Sequence, residues 1–243
     1  MDNFEGLPIQ QSLGIKISDK DDFATFEVGR NANTIKALTS ALDNQSNEFF
    51  FVFGPSGCGK THLLKALFQK YNANLSDCLM LDCNLLKQLG AMALEVNIPK
   101  VVLLDNVDII AGDEDLELGL FGFFNRWYDK GLGTLIMTSK KSFDQIGFIK
   151  KDLNTRLSSG VSLSLDYLNE EECVEALLKR SKARFVNLPK RTVEFLVRHC
   201  NHDMRSLLKV MDKLENAQIE HTHELTIPFV KKIVTIQNPT VQR

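Results

Sequence analysis

Eight consecutive residues carry the clearest chemistry in this sequence. They are Gly54-Pro55-Ser56-Gly57-Cys58-Gly59-Lys60-Thr61, with the glycine, lysine and threonine spacing of a phosphate-binding loop. The glycines let the backbone curl so that its N–H groups converge on phosphate oxygens at a helix N-terminus. Lys60 would neutralise β- and γ-phosphate charge, and Thr61 would ligate Mg²⁺. The segment predicts ADP or ATP binding with Mg²⁺, a chance glycine-rich turn being the alternative, and the adjoining His62 is included among the nucleotide-binding residues.

Asp105 is the second candidate for chemistry, because it directly follows the apolar run 101–104. A carboxylate at the C-terminal end of a buried strand faces the ligand crevice of an open α/β sheet, so Asp105 is the expected magnesium partner. Asn106 comes next, where a second acid would position the attacking water. An amide cannot act as a base, so we expect slow ATP hydrolysis by the chain alone. Thr138 and Ser139 end another strand and could sense the γ-phosphate, although such residues are common at strand ends.

The elements that must position these residues alternate along the chain. The run Phe49–Phe53 is apolar without interruption, which indicates a strand buried on both faces just before the phosphate-binding loop. Similar runs follow at 78–81, 101–104, 134–137 and 161–165, separated by helix-length sequence. Strands alternating with helices imply right-handed crossovers and a parallel sheet. The predicted class is α/β, with five parallel strands and the loop after the first.

After residue 165 the pattern is helical. Asn169 with Glu172 resembles a capping box, Pro189 suits the first turn of a second helix, and a third helix begins near residue 203. We therefore predict an N-terminal tail over 1–22, an α/β base over 23–165, a helical lid over 166–237 and a C-terminal tail over 238–243. We expect the adenine of a bound nucleotide near Val28, at the entry to the base.

Composition excludes several classes of function. The 29 basic and 31 acidic residues give no bulk charge for binding nucleic acid or an anionic membrane. Five cysteines without a C-x-x-C pair indicate reduced thiols that fill the core of a cytoplasmic protein. No apolar run approaches the roughly 20 residues that span a bilayer. We expect neither export nor a membrane association.

Segments 54–64, 103–113 and 203–207 resemble the AAA+ module of the replication initiator DnaA. The closer resemblance is to the Hda family of short DnaA homologues. It is carried by Asn106, by residues 224–231 and by the end of the chain at Arg243, where a DnaA would continue into a helix-turn-helix domain. The resemblance extends from Gln10 to about residue 236.

This resemblance implies a negative regulator of replication initiation that stimulates hydrolysis of ATP held by DnaA. It makes Arg156 an arginine finger supplied in trans and Arg205 a sensor-II arginine over the chain's own nucleotide; spacing alone would leave either as a solvated arginine. A finger of this kind accelerates phosphoryl transfer by about 10³ to 10⁵.

The resemblance also implies a clamp-binding hexapeptide in the N-terminal tail. Gln10, Leu13 and Ile15 match the family's motif for the sliding clamp of DNA polymerase III, whereas Gln11 and Gly14 depart from it. A glutamine anchor with two apolar side chains is a plausible groove-binding segment. DNA would be reached only through the clamp.

Lys140 departs from the family, whose members usually have an acidic residue there, and it is a further reason to expect little hydrolysis. The competing hypothesis is an autonomous AAA+ ATPase such as a DnaC-like helicase loader, which would require a second acid where Asn106 stands. A scaffold that uses the fold without nucleotide conflicts with Lys60 and Thr61. ADP or ATP as the resident nucleotide, and self-association, are left open.

Overall fold

The computed structural model describes residues 21–72, 77–131, 133–199, 204–220 and 225–233. The clamp motif of Gln10, Leu13 and Ile15 lies outside them. The strands are β1 (Phe49–Phe53), β2 (Cys78–Asp82), β3 (Val101–Asp105), β4 (Thr134–Ser139) and β5 (Val161–Ser164). The helices are α1 (Ala32–Asp43), α2 (Lys60–Tyr71), α3 (Cys83–Leu89), α4 (Glu114–Lys130), α5 (Lys151–Ser158), α6 (Glu170–Ala183), α7 (Lys190–His199), α8 (Met204–Glu220) and α9 (Ile227–Ile233).

The strands form one parallel sheet in the order β2-β3-β4-β1-β5, which confirms the predicted α/β class. Residues of β1 to β4 are buried almost throughout, as their uninterrupted apolar runs predict. β5 differs, since three of its four residues are exposed at the sheet edge. Its register places Phe53 beside Ser164, and β1 also pairs with β4.

The chain divides into two compact units. The first unit contains residues 36–54 and the described part of 67–164, and it holds the whole sheet. One face of that sheet packs against α3, α4 and α5 through a continuous apolar core. Phe49 and Phe124 meet edge to face there, with ring centroids 5.2 Å apart, and both rings also contact Trp127. This core supports β3 and β4, at whose C-terminal ends Asp105, Thr138 and Ser139 lie.

The second unit contains the described parts of 17–35 and 165–243 together with residues 55–66. Its helices α6 to α9 share an apolar core. The predicted capping box is confirmed: Asn169 accepts from the Glu172 N–H at 2.8 Å and donates its own N–H to the Glu172 carboxylate at 2.8 Å. Helix α7 begins after Pro189, whose carbonyl accepts the first hydrogen bond of the helix, from Thr192.

The cysteine prediction also holds where it can be checked. Cys58, Cys78, Cys83 and Cys173 are buried free thiols, and Cys200 lies outside the described residues. Within the part of the chain that the structure describes, no helix is long and apolar enough to cross a membrane.

Candidate functional site

The phosphate loop, defined as residues 54–61, has the backbone its glycines predict. Gly57 and Gly59 have φ angles of 89° and 104°, values that favour glycine. Helix α2 begins directly at Lys60, and the Leu63 N–H donates to the Gly59 carbonyl at 2.8 Å. The loop therefore leads into a helix N-terminus, where backbone N–H groups and the helix dipole favour an anion.

Lys60 is held against its own loop. Its side chain is buried, and Nζ donates to the Pro55 carbonyl at 2.8 Å and lies 3.7 Å from Cys58 Sγ. Burial raises the pKa of the Cys58 thiol, and the nearby Lys60 charge offsets only part of that rise. Cys58 is therefore a protonated, apolar neighbour that does not compete with a phosphate for the lysine.

His62 stands at the centre of a polar cluster that we call the His62 cluster: Asp21, His62, Lys65 and Arg180. Arg180 is buried, and its Nη2 lies 3.0 Å from Asp21 Oδ1 and 2.8 Å from His62 Nδ1. Lys65 donates to the other oxygen of Asp21 at 2.8 Å. The cluster joins the segment before residue 26 to α2 and to α6.

The cluster keeps His62 neutral. A guanidinium only donates, so Nδ1 must accept from Arg180 and the ring proton sits on Nε2, which donates to the Asp22 carbonyl at 3.2 Å. Burial, reinforced by the Arg180 charge, lowers the pKa of His62 to about 4. Burial alone would raise the pKa of Asp21, but the Lys65 hydrogen bond and charge, with Arg180, bring it below its usual value.

The predicted adenine segment is fixed by an amide. Val28 precedes a 3₁₀ turn, Gly29–Asn31, and the buried Asn31 side chain bonds to both backbone groups of Asp166. Its Nδ2 donates to the Asp166 carbonyl at 3.1 Å, and its Oδ1 accepts from the Asp166 N–H at 2.8 Å. This pairing attaches the turn to the segment that precedes α6. The sequence contained no motif that would have identified Asn31.

Tyr167, the next residue, contacts the phosphate loop. Its hydroxyl donates to the Ser56 carbonyl at 2.8 Å, and its side chain is partly exposed. Thr61 is exposed at the first turn of α2, and Arg205 is exposed at the second residue of α8. The predicted nucleotide roles of Thr61, Arg205 and Val28 stay predictions.

In the first unit, polar residues meet at the strand ends. We call Asp82, Asp105, Asn106 and Thr138 the strand-end cluster. Asp105 is 1% exposed, and the Thr138 hydroxyl donates to its Oδ1. The same Thr138 oxygen accepts from the Asn106 N–H at 3.1 Å. Thr138 therefore orients Asp105. This role could not be predicted from the sequence, because threonine is common at strand ends.

Asn106 adopts a left-handed backbone conformation, with φ 59°, and its amide is committed to a neighbour. Nδ2 donates to Asp82 Oδ1 at 3.3 Å, and Asp82 also accepts from the Asn84 N–H at 2.9 Å. Asp82 and Asp105 are register partners on β2 and β3. Position 106 thus carries a hydrogen-bonded amide rather than a carboxylate that could act as a base.

Lys140 is likewise engaged, with Asp108. Its N–H donates to Asp108 Oδ1 at 3.1 Å, and its Nζ lies 3.9 Å from Oδ2. Asp108 therefore holds the turn that follows β4.

Arg156 lies on α5 and is partly exposed, with its guanidinium 5.6 Å above the ring of Tyr128. Tyr128 is 59% exposed, so the pair is accessible from solvent. Among the described residues, no carboxylate lies within ion-pairing distance of Arg156. The guanidinium therefore lies over an aromatic face and, within the described part of the chain, is paired with no carboxylate.

Glu117 fixes the start of that helix, and sequence reasoning missed it. This carboxylate has no exposed surface, and it accepts backbone N–H bonds from Gly112 at 2.8 Å, Ile149 at 3.1 Å and Lys150 at 2.9 Å. Lys150 is the N-cap residue of α5. Only the apolar spacing of the residues around Glu117 on α4 could have indicated that it faces inward.

Two family models match this chain in succession. The AAA model, for the ATPase family associated with various cellular activities, matches residues 50–140. The model of the Hda lid domain matches residues 170–234. The AAA match covers the phosphate loop and the strand-end cluster, and the Hda lid match covers helices α6 to α9.

Solved structures share the fold. Domain III of the Thermotoga maritima replication initiation protein DnaA matches with a TM-score of 0.78 at 19% identity, over 90% of this chain and 98% of that one. AMPPCP-bound DnaA from Aquifex aeolicus matches with a TM-score of 0.65 at 19% identity, over 85% and 68%. The RuvB Holliday junction branch migration motor of Thermotoga maritima gives 0.63 at 16%, over 84% and 68%. At these identities the likeness concerns the fold alone.

Proposed function

Because this chain is an Hda-like AAA+ protein, we propose that it is a nucleotide-bound negative regulator of DNA replication initiation. In this proposal it is tethered to the DNA polymerase sliding clamp and stimulates hydrolysis of the ATP held by DnaA. The observation that carries the proposal is the succession of an AAA match and an Hda lid match in one chain. It acts in the cytoplasm and reaches DNA only through the clamp.

The phosphate loop supports nucleotide binding by the chain itself. The glycine conformations at 57 and 59 and the position of Lys60 at the start of α2 are those that a phosphate cradle needs. ADP or ATP would bind there with its adenine near Val28 and with Arg205 over its phosphates. Thr61 and the buried Asp105 are the residues proposed to hold Mg²⁺, which would screen phosphate charge.

Arg156 is proposed as the finger that acts on ATP in DnaA. A finger that acts in trans must be accessible and must not be neutralised by its own chain. Among the described residues Arg156 fits both conditions, since it is partly exposed and has no carboxylate within ion-pairing distance. The aromatic contact with Tyr128 limits the side-chain freedom that would be lost on insertion. Glu117 holds the N-terminal end of the same helix through two backbone bonds.

A partner role fits the strand-end cluster better than autonomous turnover does. The Asn106 amide is bonded to Asp82 and cannot take a proton from water. A helicase loader that hydrolyses its own ATP would need a carboxylate at that position. Binding without rapid hydrolysis suits a protein whose nucleotide holds it in one conformation.

The decisive experiment mixes the purified protein with ATP-loaded DnaA, clamp and DNA, and follows phosphate release. Arg156→Ala should reduce the stimulated rate at least about a hundredfold while ADP binding is unchanged. Arg156→Lys should restore little, because lysine lacks the planar fork that engages two phosphate oxygens. Lys151→Ala, on an exposed residue of the same helix, is the matched control. Full stimulation by Arg156→Ala would overturn the finger assignment.

The tether is tested separately. Gln10→Ala combined with Leu13→Ala should abolish capture by immobilised clamp and leave ADP binding intact. Because Gln11 and Gly14 are atypical, we expect an affinity in the micromolar range, about 8 kcal/mol at 1 μM. Clamp capture that survives both substitutions would reject the motif.

A further inference from the structure

We propose that Tyr167 is a positioning residue of the phosphate loop, one that sets the orientation of a backbone N–H which binds nucleotide phosphate. The inference rests on the proposed function in one respect, that the loop binds a nucleotide. It concerns residues 55–61, 31 and 165–169, which belong to the same compact unit.

Tyr167 meets the loop at the peptide between Ser56 and Gly57. The Ser56 carbonyl accepts from the Tyr167 hydroxyl at 2.8 Å. In a planar trans peptide the C=O and the following N–H point in opposite directions, so this bond also fixes the Gly57 N–H, directed away from the phenol. The φ angle of 89° at Gly57 belongs to a region where glycine has little preference of its own. The external bond therefore selects one orientation among several.

Tyr167 is held firmly enough to do this. Its neighbour Asp166 is paired through both backbone groups to the buried Asn31 side chain. Asn169, two residues further on, is fixed by the capping box that begins α6. With the backbone secured on both sides, only the two side-chain torsions of Tyr167 remain to be ordered. The hydroxyl thus reaches Ser56 at low entropic cost.

The contact differs in kind from that of Lys60. Lys60 Nζ donates to the Pro55 carbonyl, but its ammonium is also the group that phosphate attracts. The phenol of Tyr167 comes from outside the loop and, unlike the ammonium, brings no positive charge, so a phosphate attracts it less than it attracts Lys60. Tyr167 can therefore keep the loop in place both before and after Lys60 turns to a nucleotide.

The test measures ADP with Mg²⁺ and AMP, each by displacement of a fluorescent ADP. Tyr167→Phe keeps the ring and removes the hydroxyl, so ADP affinity should fall about three- to tenfold, the effect of one hydrogen bond. AMP, which has no β-phosphate for the loop to hold, should change less than about twofold. The melting temperature without nucleotide should stay the same, because Tyr167 is 43% exposed. Tyr71→Phe, which removes a hydrogen-bonded hydroxyl from the last residue of α2, should change neither affinity.

The outcomes separate this inference from the nucleotide site itself. If Lys60→Ala abolishes ADP binding while Tyr167→Phe leaves it unchanged, the positioning role is overturned and the site stands. If Lys60→Ala retains ADP, the nucleotide site fails and the role of Tyr167 fails with it. An equal loss of ADP and AMP in Tyr167→Phe would place the contact at the nucleoside or the α-phosphate and would overturn a role at the β-phosphate.

Discussion

The phosphate loop and the strand-end cluster are built from different kinds of polar groups. The loop uses backbone N–H groups whose directions follow from glycine conformations and from two side chains, Lys60 and Tyr167, that bond to its carbonyls. The strand-end cluster uses side chains that bond mainly to each other, as Asn106 does to Asp82. The loop leads into the N-terminus of α2, where an anion is favoured, whereas the Asn106 amide is already bonded to Asp82. Binding and hydrolysis should therefore be separable in this protein.

The largest expected effect tests that separation directly. Lys60→Ala should weaken ADP binding about a thousandfold, roughly 4 kcal/mol, because a phosphate charge loses its buried cationic partner. Asn106→Ala, its counterpart in the strand-end cluster, should leave ADP affinity within about twofold. Calorimetric titration of both variants is the measurement. Similar losses in the two would show that the regions act as one.

The next test concerns the buried side chain of Glu117 in the first unit. Glu117→Gln should lower the free energy of unfolding by about 3 kcal/mol, since the amide keeps one oxygen for two of the three N–H groups and turns an NH₂ donor towards the third. Glu114→Gln, on an exposed residue of the same helix, should stay within about 0.5 kcal/mol. Urea unfolding measures both. A small loss in Glu117→Gln would mean that the three N–H groups find other acceptors.

The second unit instead buries the Arg180 guanidinium beside neutral His62, and this arrangement should make the protein less stable in acid. The unfolded chain takes up a proton at the ordinary histidine pKa of 6.5, whereas folded His62 titrates at about 4. The lowered pKa of His62 therefore contributes to the free energy of unfolding above pH 6.5, and this contribution is lost as the pH falls towards 4. The free energy of unfolding should decrease by about 2 kcal/mol between pH 7 and pH 5.

His62→Asn is the control for that pH dependence. Its Oδ1 can still accept from Arg180 and it does not titrate, so most of the loss between pH 7 and pH 5 should vanish. Unfolding by urea at several pH values checks this. An unchanged slope would assign the acid sensitivity to other groups.

The smallest expected effect comes from exchanging the residue types at positions 82 and 106 of the strand-end cluster. Asp82→Asn combined with Asn106→Asp keeps a donor facing an acceptor and places an acid at position 106. Single-turnover ATP hydrolysis by the chain alone should then rise about tenfold or more. Asn106→Asp by itself should raise the rate less, because the new carboxylate would face the carboxylate of Asp82. A wild-type turnover of several per second without partners would contradict the whole argument and favour a helicase loader.

Much of this could be predicted from the sequence because it rests on local patterns. The strand Phe49–Phe53, the loop that follows it and the Asn169 cap are each specified by residues adjacent in the chain. Asp105 and Asn106 could likewise be placed at a strand end.

Contacts between distant parts of the chain could not be predicted. Asn31 pairs with Asp166 across 135 positions, and Tyr167 reaches Ser56 across 111. Glu117 is charged yet fully buried, so composition would have placed it on the surface. In each case the partner is fixed by tertiary folding, and neither periodicity nor motif spacing records it.

The two salt bridges of Asp21 have a mechanical consequence. One carboxylate, that of Asp21, is bonded to Lys65 on α2 and to Arg180 on α6. A force on this carboxylate would load both bonds together and divide between two helices. The segment that follows would resist being peeled away one residue at a time. In the proposed tether to the clamp, a pull on the chain before Asp21 would thus be transmitted to the helix that starts with Lys60.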